Sequence, residues 1–281
     1  LGQAVLDAIR DAGGEAIAVR QSDAFSRPGD HEYRLDPADA EAWMRLAHDV
    51  CASGNRLAGV IDCWSAAPPG TTDLDAAAVV TLLGPLRLAH ALSSQPTVRP
   101  LPMLLVARGT ACVKNDDVLD PPRALSAGSA KVIPQEYPGL RVTHIDVDAD
   151  PHAAGMIVAE LAAGAGEPSL ALRGGYRFAE TYEPTPIRTI GAPLDLPERP
   201  VVMVTGGLGH MGMGLSEGLF DRLGARLVLL GRTALPGPDE WASASEDQAL
   251  SAERRTLLRR LAKLHEQRDE VLVVNADMND P

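Results

Sequence analysis

Hydrophobic and polar positions alternate with two periods along the chain, and the pattern predicts helices and strands in succession. Apolar residues three or four apart predict helices, and short apolar runs bounded by turn residues predict strands. Predicted helices in the first two thirds cover residues 2–13, 37–53, 73–95, 123–137 and 152–164. Predicted strands there cover residues 15–19, 57–62, 102–108 and 141–147, with two short strands in 168–180 that turn at Gly174-Gly175. This alternation predicts an α/β fold in which helices cover a parallel sheet.

The last third of the chain repeats the pattern after a cluster of prolines. Proline is excluded from helix interiors and central strands, and five prolines lie between residues 183 and 201: Pro184, Pro186, Pro193, Pro197 and Pro200. Strand, helix, strand, helix and strand follow, at residues 201–204, 211–223, 226–230, 251–267 and 271–274. We therefore predict a first domain over residues 1–182, a stiff linker over 183–199 and a second domain over 200–281.

A glycine-rich loop connects the first predicted strand of the second domain to its helix: Thr205-Gly206-Gly207-Leu208-Gly209-His210-Met211-Gly212. In this context such a loop holds the pyrophosphate of a dinucleotide at a helix N-terminus, where free amides and the helix dipole favour an anion. We expect Gly206 to make a turn closed to L-residues, Gly209 to let the main chain approach the pyrophosphate, and Gly212 to let the helix pack on the strand. A purely structural strand-to-helix turn is the alternative interpretation.

The ends of the next two strands carry further candidate ligands. Arg232 and Thr233 follow the second strand, where a basic residue favours a 2′-phosphate and therefore NADP(H) over NAD(H). Asp277 and Met278 follow the third strand, where the adenine is expected to lie, and Asp277 is the candidate partner of its amino group. An arginine solvated at a strand end and an ordinary turn aspartate are the alternatives.

These segments together resemble a known family. The Thr205–Gly212 loop, residues 231–236 and Ala276-Asp277 resemble the cofactor half of a ketoreductase domain from a modular type I polyketide synthase, within the short-chain dehydrogenase/reductase superfamily. The upstream part is similar to the structural subdomain of the same domains, through residues 31–37, 108–111 and 132–140 together with Pro121. The resemblance implies tandem Rossmann-like parallel sheets: a degenerate, cofactor-free structural subdomain, then the first half of an NADP-binding catalytic subdomain. We expect both chain ends to be cuts in a longer polypeptide.

The catalytic residues that the resemblance implies do not have counterparts in this sequence. The family protonates the reduced carbonyl with a tyrosine, helped by a serine and a lysine. The four tyrosines precede the glycine loop and are followed four residues later by proline, arginine or glutamate; they are Tyr33, Tyr137, Tyr176 and Tyr182. We therefore assign no catalytic residue, none to His210 either, and expect this chain alone to be inactive.

The resemblance also implies a reaction and partners for an intact parent. It would use NADPH to reduce the β-keto group of an acyl thioester carried by a phosphopantetheinyl carrier protein, beside neighbouring polyketide synthase domains. Two alternatives remain open: a non-catalytic scaffold derived from a ketoreductase, and a stand-alone dehydrogenase of small carbonyls. The large upstream domain disfavours the second.

Composition narrows the remaining classes of function. A net charge of −12 spread over 281 residues disfavours nucleic-acid binding, which needs basic patches. We expect no apolar run to reach the roughly 20 residues of a membrane helix, and a cytoplasmic location. Three cysteines predict buried free thiols, and the absence of Cys or His pairs at ligand spacing predicts no metal site.

Overall fold

The chain forms two compact units, Leu1–Glu183 and Pro184–Pro281. The computed structural model describes residues 1–52, 57–67, 73–96, 100–164, 166–186, 195–268 and 270–277. Within the predicted proline linker, residues 187–194 lie outside the described part of the chain. The fold class is α/β with predominantly parallel sheets, as the sequence predicts.

The first unit is built on a five-stranded sheet with a smaller three-stranded sheet. Its helices are α1 (Gly2–Asp11), α2 (Ala40–Ala52), α3 (Leu74–Ala78), α4 (Gly84–Ser93), α5 (Leu125–Glu136) and α6 (Ala153–Ala162). Its strands are β1 (Ala18–Gln21), β2 (Ser26–Gly29), β3 (Glu32–Leu35), β4 (Val60–Asp62), β5 (Leu101–Ala107), β6 (Leu140–Val147), β7 (Ser169–Arg173) and β8 (Tyr176–Ala179). The five-stranded order is β4-β5-β6-β7-β8, with β8 antiparallel at the edge; the small sheet has the order β1-β3-β2.

Strand β5 shows why the sheet is buried on both faces. Met103 and Leu105 point into a core shared with Trp43 of α2 and Ile133 of α5, whereas Leu104 and Val106 belong to a second core with Val5 of α1 and Ile157 of α6. Because successive side chains of a strand point to opposite faces, a strand covered on both sides is a continuous apolar run. The run over β5 therefore predicted this central strand correctly.

One helical run, where the sequence predicts a helix over residues 73–95, is more apolar than we expect. Residues Leu74–Ser93 form α3, a π-helical turn at Val79–Leu83 and α4, and by length and composition alone this run could cross a membrane. The expectation that no apolar run reaches that length is therefore wrong. In the unit, α4 packs against α2 and α5, with Ala89, Ala91 and Leu92 buried in the core, so part of the apolar surface of this run is buried.

The small sheet and the cysteines also depart from expectation. Strands β2 and β3 form an antiparallel pair that was not predicted, because β2 is Ser-Arg-Pro-Gly and is exposed along its whole length. Cys51 and Cys63 are half-buried, but Cys112 is exposed, so the prediction of a buried thiol is wrong for Cys112. Its sulfur lies 3.6 Å from the carbonyl oxygen of Lys114.

The second unit contains a three-stranded parallel sheet with helices on one face. Its elements are β9 (Val201–Thr205), α7 (His210–Leu223), β10 (Arg226–Gly231), α8 (Trp241–Ala244), α9 (Ala252–Gln267) and β11 (Val271–Asn275), with the strand order β11-β10-β9. Val204 and Leu229 of the sheet share one core with Phe220 of α7 and Leu261 of α9. Helix α7 ends where predicted, at Gly224, whose φ of 61° is left-handed. The short helix α8 was not predicted.

Asp62, the last residue of β4, gives the first unit a pH-dependent stability. Burial raises the pKa of its carboxyl group to about 6, although its Oδ1 accepts a hydrogen bond of 2.9 Å from the backbone N–H of Trp64. The folded-state pKa lies above the unfolded value of about 3.9, so this contribution to stability is complete below the unfolded value and is lost as the pH rises through about 6.

We expect Asp62→Asn to raise the free energy of unfolding at pH 7.5 by about 1–2 kcal/mol, since asparagine keeps the acceptor and removes the charge of a half-buried carboxylate. At pH 4, where Asp62 is already protonated in the folded state, the gain should vanish. Urea unfolding at the two pH values tests this. An equal change at both would contradict the assignment to ionisation.

Candidate functional site

The candidate site lies at the carboxyl edge of the sheet in the second unit. The three strands are parallel, with Thr205 of β9 beside Leu230 of β10, and Gly231 of β10 beside Asn275 of β11. Parallel strands end at the same edge, so the segments that follow them meet there. The glycine loop, Arg232 and Asp277, which the sequence analysis took from separate stretches, therefore follow adjacent strand ends.

The glycine loop is a tight turn held by its own main chain. Gly206 has a φ of 68°, which confirms the prediction that it occupies a conformation closed to most side chains. The N–H of Gly207 donates to the carbonyl oxygens of Val204 at 3.2 Å and Leu230 at 3.1 Å, and that of Gly209 donates to Gly206 at 2.9 Å. These bonds fix the loop between β9 and β10.

Two further glycines permit close approaches within the site. A Cβ at Gly231 would lie 2.8 Å from Cδ1 of Leu208, so the glycine at the end of β10 makes room for the side chain of the loop. A Cβ at Gly212 would lie 2.9 Å from both the carbonyl carbon of Gly206 and the Cα of Gly207. The expectation that Gly212 lets the helix pack on the strand therefore needs correction: its closest neighbours belong to the loop that follows the strand.

Several backbone amides at the start of α7 have no backbone acceptor in the described part of the chain. Helix α7 starts at His210, and the first helical amides have no acceptor within a helix. In the described part of the chain, the N–H groups of Leu208, His210 and Met211 have no backbone acceptor, whereas that of Met213 donates to Gly209 at 2.8 Å. The side chains of His210 and Met211 are exposed. Unpaired amides at the positive end of a 14-residue helix favour an anion.

Arg232 and Thr233 lie beside this loop at the end of β10, and both are exposed. Within the described ranges, the guanidinium group of Arg232 has no hydrogen bond or ion pair. Its charge is therefore available to a ligand. Asp277 is exposed two residues after the end of β11, and Met278 lies outside the described residues. No group of three His, Cys, Asp or Glu side chains in the described ranges is arranged to hold a metal ion.

The corresponding edge of the first unit is filled by a buried ion-pair network that the sequence analysis missed. Arg173, 3% exposed, binds Asp146 through Nη2 at 2.5 Å and Asp117 through Nε at 2.9 Å. The carboxylate of Asp146 also accepts the N–H groups of Thr110 and Ala111, each at 3.1 Å. These charges lie far apart in sequence, so no spacing motif could reveal them.

Comparison with known proteins shows which proteins the chain is similar to. No protein-family model matches the chain. It is 33% identical over 162 residues to erythronolide synthase EryA3 of Saccharopolyspora erythraea, a match covering 57% of this chain and 5% of that synthase. It is 29% identical over 243 residues to a phenolphthiocerol/phthiocerol polyketide synthase of Mycobacterium tuberculosis, covering 81% of this chain and 13% of the relative.

Solved structures of ketoreductases are similar to this chain in fold. An A1-type ketoreductase is 25% identical, with a TM-score of 0.56, and the match covers 99% of this chain and 51% of that one. The chain is therefore similar to modular polyketide synthases in sequence and to solved ketoreductases in fold. The ketoreductase fold also recurs in an N-terminal ketoreductase of the macrolactin assembly line, with a TM-score of 0.64 at 15% identity over 98% of this chain and 52% of that one. The chain thus spans about half of these ketoreductases and a small fraction of the synthases.

Proposed function

We propose that the chain is the cofactor-holding part of an NADPH-dependent β-ketoacyl reductase. The observation that supports this most strongly is the meeting of two anion-binding features at one sheet edge. The amides at the start of α7, which have no backbone acceptor among the described residues, favour a pyrophosphate. Arg232, whose guanidinium group has no partner among those residues, lies at the end of the adjacent strand. A strand-to-helix turn with a purely structural role would need neither the amides nor the arginine.

Each residue of the site has a proposed role in that binding. Amides of the loop would hold the pyrophosphate, Arg232 with Thr233 would bind the 2′-phosphate, and Asp277 would accept a hydrogen bond from the adenine amino group beside Met278. The full set of loop residues is Thr205, Gly206, Gly207, Leu208, Gly209, His210, Met211 and Gly212. When bound, the nicotinamide supplies a hydride to a keto carbon.

The proposed division of labour follows the two units. Residues 1–182 would serve as a structural subdomain, 183–199 as the linker and 200–281 as the first half of the catalytic subdomain. The substrate would be a β-ketoacyl group on a phosphopantetheinyl carrier protein, within a synthase that supplies the neighbouring domains. Because no tyrosine follows the glycine loop in this sequence, we propose that the chain binds NADPH without turning it over.

Calorimetric titration of the chain with NADPH and NADH tests the proposal. We expect Arg232→Ala to raise the Kd for NADPH about tenfold and to change that for NADH less than twofold, because a guanidinium–phosphate pair contributes on the order of 1.5 kcal/mol. Arg259→Ala, which removes the same charge from an exposed position on α9, is the matched control.

Two results would contradict this function. Absence of binding by the unmodified chain would favour a scaffold that has lost its cofactor. Loss of nicotinamide absorbance on adding a β-ketoacyl thioester would show that the chain contains a proton donor that the sequence does not indicate.

A further inference from the structure

A side chain outside the predicted site, that of Asn275, forms hydrogen bonds to the main chain on either side of Arg232. The β10–β11 pairing ends with Gly231 beside Asn275. One more backbone bond follows, from the N–H of Ala276 to the carbonyl oxygen of Gly231 at 3.1 Å. In the described part of the chain no further backbone bond joins the two segments, and Arg232 is the first residue past the ladder.

The side-chain carboxamide of Asn275 connects β11 to the chain one peptide beyond the last backbone bond of the ladder. With its nitrogen facing β10, it donates to the carbonyl oxygens of Arg232 at 3.0 Å and Gly231 at 3.2 Å. The opposite orientation of the amide would place its oxygen against two acceptors, so the hydrogen-bond network selects this one. One side chain on β11 therefore holds the peptides on both sides of the Arg232 Cα.

The rest of the loop after β10 is held by other residues. Arg254 of α9 donates to the carbonyl oxygen of Ala234 at 2.6 Å, and the indole N–H of Trp241 donates to that of Pro236 at 2.9 Å. Neither bond reaches Arg232, whose own side chain has no partner in the described part of the chain. Among the described residues, Asn275 is therefore the one whose side chain bonds to the main chain of Arg232.

We propose that Asn275 is a positioning residue that sets the preference of the site for an adenylate bearing a 2′-phosphate. This inference rests on the proposed function, since it concerns the same cofactor site. Asn275 acts through Arg232: fixing two carbonyl groups holds the guanidinium where a 2′-phosphate would lie, and preorganisation of this kind lowers the entropy lost on binding. A ligand without that phosphate gains no affinity from the fixed position of the guanidinium group.

Binding of 2′,5′-ADP and 5′-AMP to the full chain tests the inference without any turnover. We expect Asn275→Ala to weaken 2′,5′-ADP about fivefold and 5′-AMP less than twofold, because two hydrogen bonds to the Arg232 backbone are lost. Asn275→Asp should weaken 2′,5′-ADP about tenfold or more, since it replaces the donor with a charge that repels both the carbonyl groups and the phosphate. Gln248→Ala is the control, since it removes another carboxamide that donates to a backbone carbonyl, that of Glu246 at 3.4 Å.

A measurement on the ligand-free protein separates the positioning role of Asn275 from the proposed cofactor binding. The {1H}-15N NOE of the Arg232 and Thr233 amides, which reports picosecond-to-nanosecond order, should fall in Asn275→Ala and stay unchanged in Gln248→Ala. An unchanged NOE, or equal weakening of both nucleotides, would overturn the positioning role while leaving the proposed function intact. If the unmodified chain binds neither nucleotide, the proposed function fails and the specificity inference fails with it.

Discussion

Replacing Arg173 with methionine will lower the free energy of unfolding of the first unit by about 3–5 kcal/mol, because removal of one partner leaves buried carboxylates uncompensated. Asp146 is 0% exposed and Arg173 3% exposed. Arg173 also donates to the carbonyl oxygens of Asp146 at 3.1 Å and Ala111 at 3.1 Å. Methionine fills a similar volume but satisfies none of these acceptors.

Arg177→Met is the matched control for this prediction. Arg177 lies on the adjacent strand and pairs with Glu160, but its side chain is 39% exposed, so we expect its loss to cost less than about 1 kcal/mol. Trp43 and Trp64 lie in the first unit and Trp241 in the second; urea unfolding in a Trp241→Phe background therefore reports the first unit through its fluorescence. Similar losses in the two variants would contradict a special role for the buried network.

The same network makes the destabilisation caused by Arg173→Met depend on pH. The hydrogen bond from Arg173 is the main cause that lowers the pKa of Asp117 to about 2, followed by the amides of Lys114 and Val113. The folded-state pKa is thus below the unfolded value of about 3.9. The stabilisation by Asp117 is complete above that value and is lost as the pH falls through about 2. The difference in stability between the unmodified chain and the variant should therefore shrink in acid.

This network also shows a kind of interaction that sequence patterns cannot predict. Apolar periodicity is a local signal, and it identified β5, α9 and the elements around the glycine loop because each lies on a continuous stretch of chain. Arg173 and Asp117 are separated by 56 positions, and nothing in either local context indicates the other. Nothing in the local sequence singles out Asn275, because its importance depends on a hydrogen bond to the adjacent strand.

The elements that the sequence did not predict were also missed for physical reasons. Strand β2 contains Pro28 and is exposed throughout, so it lacks both the alternation and the apolar content of a strand. Helix α8 has four residues, too few to show a helical period. The glycine loop, in contrast, could be predicted from residue type alone. Gly206 has a positive φ, and glycine adopts that conformation far more readily than other residues.

We expect Gly212→Ala to weaken NADPH binding at least tenfold and to lower the stability of the second unit by about 1–3 kcal/mol. The added Cβ would meet backbone atoms of Gly206 and Gly207, which cannot turn aside as a flexible side chain would. Either α7 or the loop must move, and both hold the amides that we propose bind the pyrophosphate. Calorimetric titration with NADPH and urea unfolding followed by Trp241 fluorescence, in a background lacking Trp43 and Trp64, measure the two effects.

Gly218→Ala supplies the control, because Gly218 lies in the same helix and a Cβ there has no atom within 4 Å. Alanine is the better helix former, so this variant should gain about 0.5–1 kcal/mol of stability and bind NADPH normally. The two variants make the same chemical change in α7, so helix propensity favours both equally. A difference in NADPH binding between the two variants would therefore come from the contact of Gly212 with the loop. Equal binding would show that the loop accommodates a methyl group and that its close packing does not shape the cofactor site.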